Sequence, residues 1–394
     1  MAKQRGSQGA AGSQNHLDHK QQVDLGSFYT PKKIVDLAYS LLQKNIEDFA
    51  NFSIFDSSCG YGSFLASDVK AKRFIGADVD KRAIDEAKKI VSKADLFRVN
   101  SLQSVARQKY QLADDEKLII IGNPPYNDTT SIIRQKTKDK SVKDEIDQDL
   151  KTRDLGMSFL LSYNKLKADY ICVLHPLSYL IKKANFSSLK KLAENYKLID
   201  GIVISSHEFT DTSRGTAFPI LISLYKRDEN GMNYEYIENY KFQTKEGATF
   251  RLSDFDTIAK YISKYPNKNS ISDSDKLVAK FYTMRDINAL KRSRTFIEND
   301  MTNTVYVTEE KLPYYCYVDI FKRYADRLPY YFGNCDVLID QAEFEKIKDS
   351  FVSESVHTNP VLKGKIKFHR VPDASLKIEK YFNKMLGEHL NATN

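Results

Sequence analysis

From Ser53 to about Arg227 the chain repeats one pattern: a short β-branched or aromatic run, then a longer amphipathic stretch. Strands spaced this way pair in parallel, because a parallel neighbour needs a crossover of a dozen or more residues and a helix supplies it. Seven runs stand out: Ile54-Phe55, Phe74 to Ala77, Leu96 to Val99, Leu118 to Ile121, Tyr170 to Leu174, Ile202 to Ile204 and Ile220 to Leu224. Between them, Ala83, Ile84, Ala87, Ile90 and Val91 recur at helical spacing, as do Phe159, Leu160, Tyr163 and Leu166. The pattern predicts an α/β fold, a seven-stranded Rossmann-like sheet with helices on both faces.

Two stretches interrupt it. Ser131 to Arg153 mixes Lys136, Lys138, Lys140 and Lys143 with Asp144, Glu145, Asp147 and Asp149, which is too polar for a core and predicts a mobile surface segment. The turn Asp228-Glu229-Asn230-Gly231 ends the alternation. A chain of 394 residues is long enough for two cores, so the reading is a domain over 23–229 and a second, α+β domain over 230–394. Residues 1–22, rich in Gly, Ser, Gln and Ala without an apolar run, predict a disordered tail and no signal peptide.

Cys59, Cys172, Cys316 and Cys335 are scattered, with no C-x-x-C pair and no histidine cluster beside them. That spacing suits neither a disulfide framework nor a zinc site, so a reducing cytoplasm and no metal are expected. No segment offers the roughly 20 consecutive apolar residues of a membrane span. The net charge of +8 is compatible with a polyanionic partner.

The most specific motif is Gly122-Asn123-Pro124-Pro125-Tyr126, directly after the strand ending at Ile121. The carboxyl edge of a parallel sheet is where open α/β folds place their sites. An amino group conjugated to an aromatic ring or a carbonyl is a poor nucleophile, because its lone pair is delocalised. The side-chain oxygen of Asn123 and the carbonyl of Pro124 can each accept an amino hydrogen and draw the nitrogen toward a tetrahedral form. Pro125 stiffens the turn and brings no competing donor, and Tyr126 offers a flat face to a base held outside a duplex.

Upstream, Asp56-Ser57-Ser58-Cys59-Gly60-Tyr61-Gly62-Ser63-Phe64 follows the first strand, where glycines let a ligand approach the backbone. Leu65 stands where a dinucleotide fingerprint wants its third glycine, which disfavours a pyrophosphate cofactor. Asp78, at the end of the second strand, is placed to meet ribose hydroxyls.

These residues carry a resemblance. From Gly26 to about Arg227 the chain resembles the gamma group of N6-adenine DNA methyltransferases, in which cofactor motifs precede the catalytic motif and target recognition comes last. The resemblance implies a class I methyltransferase sheet and S-adenosylmethionine as cofactor. Ser27 to Pro31 resembles the amino-terminal cofactor segment, which implies cofactor contacts from Tyr29, Thr30 and Pro31. Asp56, Ser58, Gly60 and Gly62 are implied beside the methionine part, with Asp78 and Val79 beside the adenosine. Asn100, next to Ser101, stands where the family usually has an aspartate; its oxygen accepts the same hydrogen bond without the charge. Asn123 to Tyr126 matches the catalytic motif. Tyr225, with Phe218 as fallback, matches the aromatic that packs on the flipped base.

The region after Asn230 carries no assignable motif. Arg285, Lys291, Arg292 and Arg294 cluster there, as do Lys363, Lys365, Lys367, His369 and Arg370, with Tyr314 to Phe332 rich in aromatics between them. The expected partner is duplex DNA, gripped at phosphates by lysines and read at guanine edges by arginines, with residues 127–153 ordering on binding. Asp340, Glu343, Glu345 and Lys346 are too loosely spaced for a nuclease centre, so any cognate restriction endonuclease is expected on a separate chain. Other readings of the same turn are methylation of an RNA base, of a protein glutamine amide, or of cytosine N4. A catalytically silent DNA-binding module is the alternative of a different class.

Overall fold

The computed structural model describes residues 30–126, 146–209, 216–272 and 274–390. The tail expected over 1–22, Tyr29, and most of the charged insertion fall outside that set. The chain forms two compact units. One closes with Ile220–Tyr234 and the other takes over from Glu235, a few residues beyond the turn where the sequence suggested a boundary; the stretch ending at Pro219, Phe218 included, belongs to the second.

In the first unit, strands β1 (Ser53–Asp56), β2 (Arg73–Asp78), β3 (Ala94–Arg98), β4 (Leu118–Gly122), β5 (Tyr170–Pro176), β6 (Tyr196–Ser205) and β7 (Pro219–Arg227) lie in the order β3-β2-β1-β4-β5-β7-β6. The pairs β1–β2, β1–β4, β2–β3 and β4–β5 are parallel, and β7 runs antiparallel to β5. This is the class I methyltransferase sheet that the resemblance implies. β1 and β4 are buried along their whole length, as strands covered on both faces must be, which is why they read as unbroken apolar runs.

Three helices fix the geometry of the sheet's carboxyl edge. Helix α1 (Lys32–Asn45) buries Ile34, Val35, Ala38, Leu41 and Leu42. It is pinned on two sides: Tyr39 Oη donates to the carbonyl of Phe64 at 2.6 Å, and Cys172 Sγ to that of Ala38 at 3.7 Å. Helix α2 (Lys81–Ile90) starts at Asp80, whose carboxylate accepts from the Arg82 N–H, and helix α3 (Leu155–Lys165) starts at Asp154, which accepts from Gly156 N–H at 2.9 Å.

The second unit combines short antiparallel strand pairs with helices. β8 (Phe242–Thr244) pairs with β9 (Thr249–Phe250), β10 (Asp256–Thr257) with β13 (Leu338–Ile339), and β11 (Leu277–Tyr282) with β12 (Thr304–Thr308), all antiparallel. Short helix α4 (Ile287–Arg292) precedes α5 (Leu312–Ala325), α6 (Gln341–Thr358) and α7 (Ala374–Leu386). Tyr317 of α5 lies edge-on to Phe344 of α6 at 5.4 Å and packs on Phe382 of α7 at 5.8 Å, so this aromatic-rich region is core. Among the described residues no helix is long and apolar enough to cross a membrane, and no cluster of three metal-ligating side chains forms.

Candidate active site

β4 ends on Gly122 with φ of 151°, and a Cβ there would stand 2.8 Å from Asp56 Oδ1 at the end of neighbouring β1. Only glycine lets the two strand ends close up in this way. Asp56 is buried, and its Oδ1 accepts the Ser58 N–H at 3.1 Å. Burial pushes its carboxyl up to about 8; the Ser58 amide opposes the shift and the nearby Asp78 adds to it.

Asn123 follows. Its Nδ2 donates to Oγ1 of the buried Thr30 at 3.2 Å, while its Oδ1 is buried without a hydrogen-bond partner among the described residues. A buried acceptor left unpaired costs about 1–3 kcal/mol, which a hydrogen-bond donor from a ligand would offset. Pro124 is buried, and Pro125 and Tyr126 are half-buried. Tyr126 lies against the first turn of α3: a Cβ on Gly156 would come within 3.0 Å of Tyr126 Cβ and 2.6 Å of Tyr179 Oη.

Beside this turn runs the glycine loop, with Gly60 at φ 52° and Gly62 at φ 82°. The Gly60 N–H donates to Asp78 Oδ2 at 2.9 Å, and Asp78 Oδ1 accepts from Asp80 N–H at 2.9 Å. Asp78 therefore shapes the loop by accepting from the backbone of Gly60, Val79 and Asp80, and its two oxygens keep lone-pair capacity for a hydroxyl. Burial raises its carboxyl above the ordinary range, against the pull of these backbone donors. Val79 next to it is 65% exposed, and the Ser58 hydroxyl is buried without a partner among the described residues. The edge of the first unit thus holds two orphaned polar atoms, Ser58 Oγ and Asn123 Oδ1, an uncovered apolar side chain and a loop with two glycines at positive φ.

At the end of β3, Asn100 and Ser101, both expected beside the cofactor, also make bonds within the protein. Ser101 is buried and donates to the Ser57 carbonyl at 2.7 Å, which makes it a strut between the two loops. Asn100 Oδ1 accepts from Leu102 N–H at 2.9 Å. Asp147 closes the same turn by accepting from Ser104 N–H at 2.7 Å and Val105 N–H at 3.1 Å, and it pairs with Lys165 of α3 at 2.9 Å. Although burial alone would raise it, these donors hold the Asp147 carboxyl at about 2.

Residues 146–153 are therefore built into the first unit, with Leu150 buried, and are not the mobile end of a charged segment. Residues 127–145 lie outside the described set. Tyr225 is a second correction: it is fully buried in β7, and its hydroxyl meets His175 Nε2 at 2.7 Å, so it has no open face for a base. Phe218 is half-buried and belongs to the second unit. In that unit Arg285, Arg292 and Arg294 are exposed without an ion-pair partner among the described residues, and Lys291 is half-buried, with burial lowering its ammonium pKa. Glu343 and Glu345 form helix-surface pairs with Lys346 and Lys348 and no acidic centre.

The family model for N-6 DNA methylases matches residues 15–296. The chain belongs to that family. No curated protein matches it in sequence. Its fold is similar to the methyltransferase subunit of a type I restriction-modification system from Streptococcus thermophilus, at 19% identity and a TM-score of 0.39 over 58% of this chain and 48% of that one. It is similar to DrdV in a DNA complex, at 15% identity and 0.37 over 65% and 33%. A dimethyladenosine transferase from Plasmodium falciparum matches at 14% and 0.32 over 51% and 63%. The chain thus spans about half of the first protein and a third of the second.

Membership in the N-6 DNA methylase family implies S-adenosylmethionine as methyl donor. The donor set suits it: backbone free of side chains at Gly60 and Gly62, carboxylates at Asp56 and Asp78, the Ser58 hydroxyl, and the apolar Val79 for an adenine ring.

Proposed function

We propose that the protein transfers a methyl group from S-adenosylmethionine to the N6 amino group of adenine within a specific DNA sequence. The observation that carries this reading is the buried, unpartnered Asn123 Oδ1 at the end of β4, beside the glycine loop. Asp56, Ser58, Gly60 and Gly62 would hold the methionine end of the cofactor, with Thr30 and Pro31 near it; Asp78, Val79 and Asn100 would line its adenosine end. When bound, it supplies a methyl group activated by a sulfonium.

The chain's own part is to prepare the nucleophile. Asn123 Oδ1 and the Pro124 carbonyl each accept one amino hydrogen of an adenine flipped from the duplex, which localises the nitrogen lone pair. Pro125 keeps the turn rigid and donor-free. Tyr126 stacks on the base. Burial of the turn excludes water from the reacting nitrogen during transfer, the alkylated nitrogen gives up one proton to solvent as the product leaves, and alignment supplies most of the rate.

Incubation with labelled cofactor and duplex DNA, single-stranded DNA, RNA or protein, followed by mapping of the product, tests the substrate. Label at adenine N6 of duplex DNA is expected; label confined to RNA, protein or cytosine refutes the reading. Asn123→Ala is expected to lower kcat by about a hundredfold or more while leaving cofactor affinity intact. A wild-type rate in that variant removes Asn123 from the chemistry.

A further inference from the structure

Resting on the proposed amino-group chemistry at Asn123, we propose that Thr30 is the positioning residue that makes the Asn123 carboxamide an acceptor toward substrate. An asparagine side chain is nearly symmetric in shape, and rotation by half a turn about its last torsion exchanges oxygen for NH2. Only one of the two orientations can serve an amino group; the other sets donor against donor.

Thr30 completes the pairing: its hydroxyl can donate or accept, so the amino group selects the orientation and Thr30 stabilises it by accepting from the amide. Its Oγ1 lies 3.2 Å from Asn123 Nδ2, across 93 residues of sequence, and accepts a hydrogen there. That contact satisfies the buried end of the amide and leaves Oδ1 as the orphan acceptor. With an amino group in place, only this orientation makes both contacts. Donation to Thr30 also polarises the amide and strengthens its oxygen as an acceptor. Thr30 is buried and held firmly: it precedes Pro31, whose carbonyl accepts from Ile34 and Val35 N–H at 2.9 and 3.2 Å in the first turn of α1. The Tyr39–Phe64 and Cys172–Ala38 bonds then fix α1 to the glycine loop and the sheet.

The test compares Thr30→Val, which keeps shape and loses the acceptor, with Thr30→Ser, which keeps the hydroxyl. Thr30→Val is expected to lower kcat about tenfold or more with KM for cofactor and DNA within about threefold of wild type, and Thr30→Ser to restore most of the rate. In an Asn123→Ala background Thr30→Val should cost nothing further. Unchanged kcat, effects that multiply, or a loss confined to cofactor affinity measured by calorimetry each overturn the proposal. Urea unfolding of the wild type, Thr30→Val, Asn123→Ala and the double variant reads the pairing without any reaction. Coupled effects there support the contact even if no DNA is methylated, an outcome that sinks only the substrate reading; additive effects sink the contact itself.

Discussion

Asp56 sits where a charge is costly, buried between the glycine loop and the end of β4, with one backbone donor to offset the loss of water. Its carboxyl is held near 8 in the folded chain against about 4 in an unfolded one. The folded state then binds the proton more tightly, so this group's contribution to stability is complete below about pH 4 and is lost as pH rises through 8, at no more than about 1.4 kcal/mol per pH unit. Urea unfolding between about pH 5 and about pH 9 should show a falling free energy in the wild type and a distinctly flatter profile in Asp56→Asn. Identical slopes would mean that Asp56 is already ionised at pH 5. At this scale the sequence was informative wherever chemistry is local. Asn123 could be read because the two prolines and the strand before it define its turn within five residues. The Thr30 contact could not, since spacing does not report a bond spanning 93 residues. Tyr225 had the right type at the right strand, yet its side of β7 faces His175 and the core, which only three dimensions decide.

Helix α3 contributes through its first turn. Asp154 Oδ1 caps Gly156 and also receives the Tyr179 hydroxyl, and the Tyr179 ring stacks on His175 with centroids 5.3 Å apart and planes 9° from parallel. Tyr126 rests on this assembly, which has no slack behind it. Gly156→Ala would drive a methyl group to within 2.6 Å of Tyr179 Oη and 3.0 Å of Tyr126 Cβ. Overpacking of this kind costs about 1–3 kcal/mol, and it falls first on the Tyr179 hydroxyl that holds the Asp154 cap and then on Tyr126. The variant should therefore lose about tenfold in kcat, with weaker fluorescence change from 2-aminopurine placed at the target base, while cofactor affinity stays within about twofold. A normal base signal would show that Tyr126 does not depend on that floor. Elements were legible in proportion to their burial. β4 is buried throughout and was read almost to the residue. β6 was read only at Ile202 to Ile204, because Lys197 and Asp200 alternate into its other half. Helix α1 was missed although Ile34, Val35, Ala38, Leu41 and Leu42 give it a clear helical stripe. The last residues of the charged insertion were misjudged because Asp147 serves backbone N–H groups rather than solvent.

Considered as a whole, the chain separates cofactor chemistry from a cluster of exposed arginines. All described residues proposed to hold the cofactor lie in the first unit, whereas Arg285, Arg292 and Arg294 belong to the second, exposed and without carboxylate partners among the described residues. The composition of that second unit was legible and its architecture was not, because its two- to six-residue strands are too short to show a period and its aromatics mark core rather than a ligand face. If this unit grips DNA at phosphates, each arginine lost should remove about one ion-release equivalent, or about 0.9 from the slope of log affinity against log salt. Arg292→Ala combined with Arg294→Ala is then expected to flatten the salt dependence by about two, to weaken cognate and random duplexes by similar factors, and to leave cofactor affinity unchanged. Lys291, half-buried and with burial lowering its ammonium pKa, should contribute less than either arginine. A double variant with the wild-type slope would take these arginines off the phosphate backbone. Loss confined to the cognate duplex would instead place them at base edges, where each good bidentate contact discriminates by about 1–3 kcal/mol.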